Sequence, residues 1–485
     1  MILCSQREVN NISVARKRER NKKEKRKKIM NEKLRNNMDV IIGSIIFTAG
    51  IVTSVMLDIP LVMPMVLGYI CYAGVAVKRG STAREIGRMS MTGAKESMVI
   101  IATLLIIGMV SAAWRASGTI AMFVSYGLEF ITPPLFLLLA FLICCLFSYA
   151  LGSCFGVAGT IGIILVSIAK AGDVSVLMTA GAVLSGGYFG DRCSPVSASA
   201  SLTAFVTKTD LYKNVKLMAK TMAVPMIITC IMYAALSLTH PLKQVDSGMP
   251  VLMEKGFNLS PVLLLPVAVM MILPLFKVNI KVTAVISVAL SFAMAVFLQG
   301  MEPAAFLKSL ALGYETDNER LAAIFAGGGM VSMANISGVI LLSCAYAQII
   351  KEKGLFEDLI HMMSSGCRRI GRVYMTFITG TFFSGLFCSG SAAIIMSSML
   401  LGEAYEETGG DKQELAIDIE NTAELTATWV PWSAACMAAF SVMNTPAVSL
   451  VFAFFVFVLP VYHMLTKTFV RRKPVWYHSK ARAAV

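Results

Sequence analysis

The stretch GGYFGDRCSPVSASASLTA, residues 186–204, interrupts sequence that is otherwise apolar enough to span a membrane. It carries one carboxylate (Asp191), one guanidinium (Arg192) and hydroxyls at Ser194, Ser197, Ser199, Ser201 and Thr203. Gly190 and the Ser194–Pro195 pair bracket Asp191, so the carboxylate falls where helix geometry is expected to lapse. A charged group at bilayer depth costs about 3 kcal/mol or more, and such groups face a protein interior or a water-filled cavity and do work there. Asp191 is therefore the first candidate for chemistry, and its reading depends on whether the flanks are truly membrane segments.

They have that character. The chain has 485 residues, 56% hydrophobic and 15% charged, with a mean hydropathy of +0.71. A soluble domain carries about 25% charged residues. Apolar stretches recur at 40–57, 59–77, 98–114, 133–151, 217–238, 260–276, 282–298, 321–350, 373–388 and 446–466. Most reach the ~17–25 residues of a spanning helix. Lipid offers no partner to an unpaired backbone amide, and no period-2 alternation suggests a barrel. The sequence thus predicts an all-α polytopic membrane protein with about ten to twelve transmembrane helices, and the lipid bilayer is its first partner.

The formal charge of +14 resides in the tails. Residues 1–37 hold 13 Lys/Arg against four Glu, and residues 467–485 hold six Lys/Arg and no acid, which leaves −1 for the rest. Basic residues flanking membrane segments mark the cytoplasmic side. Both tails are expected in the cytoplasm of a multi-pass cell-membrane protein, and no nucleic-acid role is implied. The basic loops 78–95 and 208–220 are expected on the same side, and the segment 403–420, with seven acids, on the opposite one. The expected organisation is a basic tail (1–37), a first membrane half (38–240), a loop (241–259), a second half (260–466) and a second basic tail (467–485).

Eleven cysteines lie mostly in apolar segments without CxxC spacing, which fits small buried hydrophobes. The four histidines, His240, His361, His463 and His478, fall at segment ends or in tails, which argues against a histidine proton relay. No paired His ligands, nucleophile elbow or phosphate loop occurs, so neither an enzyme nor a cofactor is indicated. No cleavable leader is recognisable.

Four regions break the hydrophobic rhythm: 147–159, 186–201, 383–393 and 420–436. Ser153 and Pro195 are 42 residues apart, and so are Ser389 and Pro431, an offset of 236 between halves. The same offset superposes Phe147–Ser148 on Phe383–Ser384, and Pro195-Val-Ser197 on Pro431-Trp-Ser433. This predicts two repeats, inverted by the loop charges, with discontinuous or re-entrant segments that meet near the bilayer midplane. Helix breaks are expected at Gly152, Gly156, Gly190, Pro195, Gly390 and Pro431. Glu424 is the acid of the second half, three residues out of register with Asp191, and Glu420 is placed one turn earlier, toward the aqueous mouth. Ser194, Ser197 and Ser433 complete the candidate ion-binding set.

These residues resemble the NhaC-type sodium/proton antiporters of the ion-transporter superfamily, over roughly 98–450. The matching stretches are LIIGMVSAAWRASGTIAMFVSYGLEFITP (105–133), GSCFGVAGTIG (152–162), GGYFGDRCSP (186–195), GGGMVSM (327–333) and Pro431–Trp432. The resemblance implies alternating-access antiport in which Asp191 exchanges a proton for a sodium ion, and it carries over to Asp191 and Glu420. It does not extend to Ala198, Ser201, Asn421 or Ser433, where the family pattern commonly differs. Relatives that exchange malate for lactate keep a second reading open, a proton- or sodium-coupled carrier of small organic anions or amino acids. The oligomeric state is left open, a homodimer included.

Overall fold

The computed structural model describes residues 38–57, 59–130, 133–241, 253, 256–276, 278–355 and 366–471. The tails at 1–37 and 472–485, most of the 241–259 loop, His361 and His478 lie outside them. Among the described residues the structure is nearly all helix, and the β pairing is a single isolated bridge between Tyr314 and Gly327.

The first half runs through α1 (Met38–Met56), α2 (Val62–Lys78), α3 (Ala83–Ala116), α4 (Thr119–Phe130), α5 (Phe136–Leu151) and α6 (Cys154–Ala171). It continues with α7 (Val176–Cys193), α8 (Ala198–Thr207) and α9 (Leu211–Thr239). The second half comprises α10 (Pro261–Ile272), α11 (Ile280–Phe297), α12 (Pro303–Leu312), α13 (Glu319–Phe325) and α14 (Val331–Glu352). After these come α15 (Arg372–Phe387), α16 (Gly390–Glu407), α17 (Lys412–Trp429), α18 (Ala434–Val442) and α19 (Phe454–Arg471). Among the described residues α3, α6, α9 and α14 are each long and apolar enough to cross a bilayer alone, and the α17–α18 pair, bent by 59°, has the length and composition of a broken span or a re-entrant loop. Shorter apolar helices, among them α2, α5, α11 and α19, surround them.

Local chemistry sets the boundaries. Thr82 and Glu85 form a reciprocal capping box that opens α3, with Thr82 N donating to Glu85 Oε2 at 3.0 Å and Glu85 N to Thr82 Oγ1 at 3.3 Å. α5 ends on Gly152 in the left-handed region (φ 66°), and Ser153 restarts the chain by capping α6 through the Gly156 amide. α15 ends the same way on Cys388 (φ 52°), and Ser389 caps α16 through the Ala392 amide. α7 stops at Ser194, Pro195 supplies no amide to continue it, and Ser197 caps α8 through Ala200 N. α17 stops before Pro431, and Ser433 caps α18 through Cys436 N. Apart from the Thr82–Glu85 box, each of these features in the first half recurs 236 residues later.

Three glycines expected at breaks are helical instead. Gly156 lies in the first turn of α6, Gly390 is the first residue of α16, and Gly190 lies in the last turn of α7. The interruptions fall beside them, at Gly152–Ser153, Ser194–Ser197 and Cys388–Ser389. At Gly190 the lack of a side chain serves packing. A Cβ on Gly190 would overlap the Ser148 carbonyl and the Tyr149 amide of α5, and one on Gly186 would press on Cys144 and on the Phe141 carbonyl at 2.7 Å. α5 lies along α7 on this glycine face, as helices do where small residues let backbones approach. In the second half α15 and α16 pack side by side as a hairpin, and Gly380 of α15 lies against the Ala423 backbone of α17.

Part of the acidic segment 403–420 meets the 208–220 loop and the start of the C-terminal basic tail instead of standing opposite them. Glu407 pairs with Arg368 at 2.9 Å, and Glu414 pairs with Arg372 and with Lys467, each at 2.9 Å. Gln413 hydrogen-bonds Asn214, at the start of α9. The acids therefore gather opposite positive charge on a shared face, and local composition could not reveal those partners.

Candidate functional site

Asp191 occupies the last turn of α7, where the carbonyls of a helix end have no partners of their own. The main-chain carbonyl of Asp191 accepts hydrogen bonds from the hydroxyls of Ser197 and, at 2.7 Å, Ser199. The hydroxyls that follow the break thus seal the helix end. The carboxylate of Asp191 accepts from the backbone amide of Cys154 at 3.1 Å, the first residue of α6, and from Ser197 Oγ at 3.4 Å. These contacts offset part of the cost of burying a negative charge, because the first amides of a helix are unpaired and its dipole is positive at that end.

The second half repeats the arrangement with a different residue bearing the charge. Ser433 Oγ donates to the Ala427 carbonyl at 2.6 Å, and Ala427 stands 236 residues after Asp191. Glu424, one turn earlier, sends its carboxylate toward the start of α16, where Oε2 lies 3.1 Å from an ideal Cβ on Gly390. Gly390 stands 236 residues after Cys154. The three-residue mismatch between the acids is thus absorbed by helix geometry, since positions three apart share a face. Each acid approaches the N-terminus of the restarted helix in its own half.

Glu420 is fully buried rather than at an aqueous mouth, and neither of its oxygens makes a well-formed hydrogen bond. The Thr203 hydroxyl and the Arg192 guanidinium are the polar groups around it. Asp191, Glu420 and Glu424 lie near enough to repel one another. They do not converge on one coordination sphere: among the described residues no three His, Cys, Asp or Glu side chains have metal-ligand geometry. Ser194 is committed elsewhere, donating to the Tyr149 carbonyl at 2.7 Å. Trp429 and Trp432 flank the second break and donate to the carbonyls of Val456 (2.8 Å) and Gly385 (3.0 Å). A cavity of about 380 Å³, lined in part by Cys344, Phe387, Ser389 and Met396, reaches the cap of α16.

Arg192 does not pair with its neighbour Asp191. It is fully buried, donates from Nη1 to Asn421 Oδ1 on α17, and leaves Nε and Nη2 without partners. Beyond Asn421 lies a polar ladder that sequence reasoning missed. Asp418 is fully buried and His463 is 4% exposed, and they meet at 2.7 Å. His463 is thus no segment-end residue but part of a buried network. The available signal was paired helical spacing, Glu414–Asp418 on α17 facing His463–Lys467 on α19, both four apart.

The two serine caps carry a comparative prediction. Removing such a cap typically costs about 1 kcal/mol. Ser433→Ala is expected to lower the folding stability by that amount, read as a fall in the unfolding midpoint. Ser197→Ala should lose as much stability and also weaken cation binding, because Ser197 alone of the pair touches a carboxylate.

The sequence matches the profile of the Na+/H+ antiporter family over residues 29–204 and 188–467. Among curated proteins it is similar to the Na(+)/H(+) antiporter NhaC of Bacillus subtilis (strain 168), 26% identical over 439 residues, covering 87% of this chain and 96% of that protein. It is also similar to the Malate-2H(+)/Na(+)-lactate antiporter of the same organism, 25% identical over 403 residues, with 81% and 86% covered. A third relative is the Arginine/ornithine antiporter ArcD of Halobacterium salinarum (strain ATCC 700922 / JCM 11081 / NRC-1), 26% identical over 438 residues, with 86% and 88% covered.

Proposed function

The chain belongs to the Na+/H+ antiporter family, and from that premise we propose that it exchanges sodium for protons by alternating access, with Asp191 as the carboxylate that holds one or the other. The observation that carries the reading is the placement of Asp191, on a broken helix and against the exposed amide of Cys154. A carboxylate there keeps lone pairs free to meet a cation, whose charge would offset the cost of burying the anion. One site that binds either a proton or a sodium ion, never both, couples the two flows without further machinery. Glu420 and Glu424 are the accessory acids that keep the region negative, and Ser197 orients the Asp191 carboxylate.

In this reading the halves are inverted repeats of a bilayer-spanning bundle of ten to twelve crossings, with both termini cytoplasmic. The recurrence at one offset of the caps and breaks at 152–153 and 194–197 supports it, as does the approach of acids in both halves to those breaks. The direct test uses vesicles loaded with a pH-sensitive dye and pulsed with Na+, Li+, K+ or small organic anions. Sodium-stimulated proton movement, absent with K+, is expected. No cation-stimulated proton movement would refute the proposal.

A second reading, cation-coupled exchange of small organic anions, rests on Arg192. Its unpartnered Nε and Nη2 form the edge of a fork that suits a carboxylate. Uptake of a labelled organic acid without sodium-stimulated proton flux would select it.

A further inference from the structure

The ladder between α17 and α19 connects the aqueous face to the guanidinium beside the carboxylates. It begins at half-exposed Arg372, Glu414 and Lys467. Lys467 Nζ also reaches Asp418 Oδ1 at 3.3 Å. Asp418 accepts from the Tyr405 hydroxyl at 2.9 Å through Oδ2 and meets His463 Nε2 at 2.7 Å through Oδ1. His463 Nδ1 lies 3.2 Å from Asn421 Nδ2, and Asn421 Oδ1 receives Arg192 Nη1.

The donors and acceptors along this chain leave one assignment. A guanidinium only donates, so the Asn421 oxygen must face Arg192 and its amide nitrogen must face His463. An amide nitrogen only donates, so Nδ1 of His463 must be the unprotonated acceptor. The ring proton is then on Nε2 and is given to Asp418. The arrangement therefore holds only while His463 is neutral. A second proton, on Nδ1, would set two donors against each other, and rotating the Asn421 amide by half a turn relieves the conflict. That rotation turns the amide nitrogen toward Arg192 and removes the guanidinium's one hydrogen-bond acceptor. Thr221 does not resist it, since its hydroxyl lies 3.5 Å from Oδ1 and 3.2 Å from Nδ2 and serves either orientation. A buried acceptor without a well-formed partner, close enough to interact with the guanidinium's charge, is the carboxylate of Glu420.

We propose that His463, acting through Asn421, positions Arg192: neutral His463 holds the guanidinium on Asn421, and protonated His463 releases it to neutralise Glu420. The inference rests on the reading of Asp191, Glu420 and Glu424 as a cation site. It makes His463 and Asn421 positioning residues that touch no transported ion, and it adds a second acid-side loss of cation affinity to simple competition by protons. The groups facing His463 are Asp418 and Glu414 of α17 and Lys467 of its own helix. Around these stand Tyr405 of α16, bonded to Asp418, Arg372 of α15, bonded to Glu414, Tyr374 of α15, bonded to Thr468, and Thr221 of α9 and Arg192 of α7, both bonded to Asn421. Asp418 is shared by His463, Lys467 and Tyr405, so the extra proton enters a site already provided with a counter-charge.

The test measures sodium affinity of the purified full chain, from sodium-dependent thermal stabilisation and from transport in proteoliposomes. The titration runs from about pH 5 to 8. His463→Gln presents one donor and one acceptor but cannot gain a proton. It is expected to match the wild type at the alkaline end and to lose affinity less steeply toward acid, by up to about tenfold per pH unit. Asn421→Asp replaces the amide with a carboxylate that, while ionised, only accepts, has no donor edge to rotate, and keeps Arg192 paired. It is expected to flatten the profile in the same way, and it decides the question alone if His463→Gln folds poorly. Profiles that superpose on the wild type in both variants overturn the inference. Asp191→Asn separates the two layers: loss of the sodium response there, together with superposed His463 and Asn421 profiles, rejects only the positioning role. A sodium response that persists in Asp191→Asn rejects the site reading and this inference with it.

Discussion

Asp191→Asn is expected to abolish sodium-driven proton exchange while leaving the fold intact. The substitution is nearly isosteric, and the Asn oxygen can still accept from the Cys154 amide, so the contact between α7 and the start of α6 survives. What disappears is the charge. A unit pair about 4 Å apart is worth about 4 kcal/mol at an effective dielectric constant of about 20, so removing it should weaken sodium binding by at least about 100-fold. The amide also cannot take up and release a proton, so the other half of the cycle fails with it. Initial rates of dye dequenching after a sodium pulse, beside the melting temperature of the purified variant, separate lost function from lost fold. Near-normal exchange in a well-folded Asp191→Asn protein would remove Asp191 from the mechanism and move attention to Glu420 and Glu424.

How far such residues can be read from sequence depends on where their partners lie. Asp191 was legible because its surroundings are local: the glycines, the Ser–Pro break and the hydroxyls that seal the helix all fall within 186–204. The matched geometry at Ser153 and Ser389, and at Ser197 and Ser433, was legible as a repeated spacing, since a cap needs only its own next turn. Gly156, Gly190 and Gly390 were misread as breaks, because glycine signals both chain reversal and close helix packing and only the tertiary contact tells them apart. Glu420, Asp418 and His463 were obscured for a different reason. Their segment reads as a charged loop, and the groups that draw it inward, Arg192, His463 and Lys467, lie more than forty residues or a whole half away in the chain. Composition places a charge at the surface by default, and it takes a specific partner to bury one. The three-residue mismatch between Asp191 and Glu424 was likewise opaque, because equivalence resides in which helix start a carboxylate approaches and not in its alignment column.

The glycine face of α7 gives the largest expected effect on stability. A Cβ at Gly190 would overlap the backbone of Ser148 and Tyr149, and backbone atoms cannot rotate aside as a side chain can. Relief requires α5 and α7 to separate along a seam that Ser148 Oγ to the Gly187 carbonyl and Ser194 Oγ to the Tyr149 carbonyl (2.7 Å) hold closed. Overpacking usually costs about 1–3 kcal/mol, and a clash against two fixed peptide groups belongs at or above the top of that range. Gly190→Ala is therefore expected to lower the thermal midpoint by many degrees or prevent assembly. It should also depress transport more than its stability loss alone would, because separating the helices draws Asp191 from the Cys154 amide. Gly402→Ala is the matched control: Gly402 lies within α16, a Cβ there meets nothing within 4 Å, and Ala favours a helix over Gly by about 0.5–1 kcal/mol. That variant should melt at or slightly above the wild-type temperature and transport normally. Equal behaviour of the two alanine variants would mean that the contact between α5 and α7 does not constrain the site, and that the placement of Asp191 has another cause.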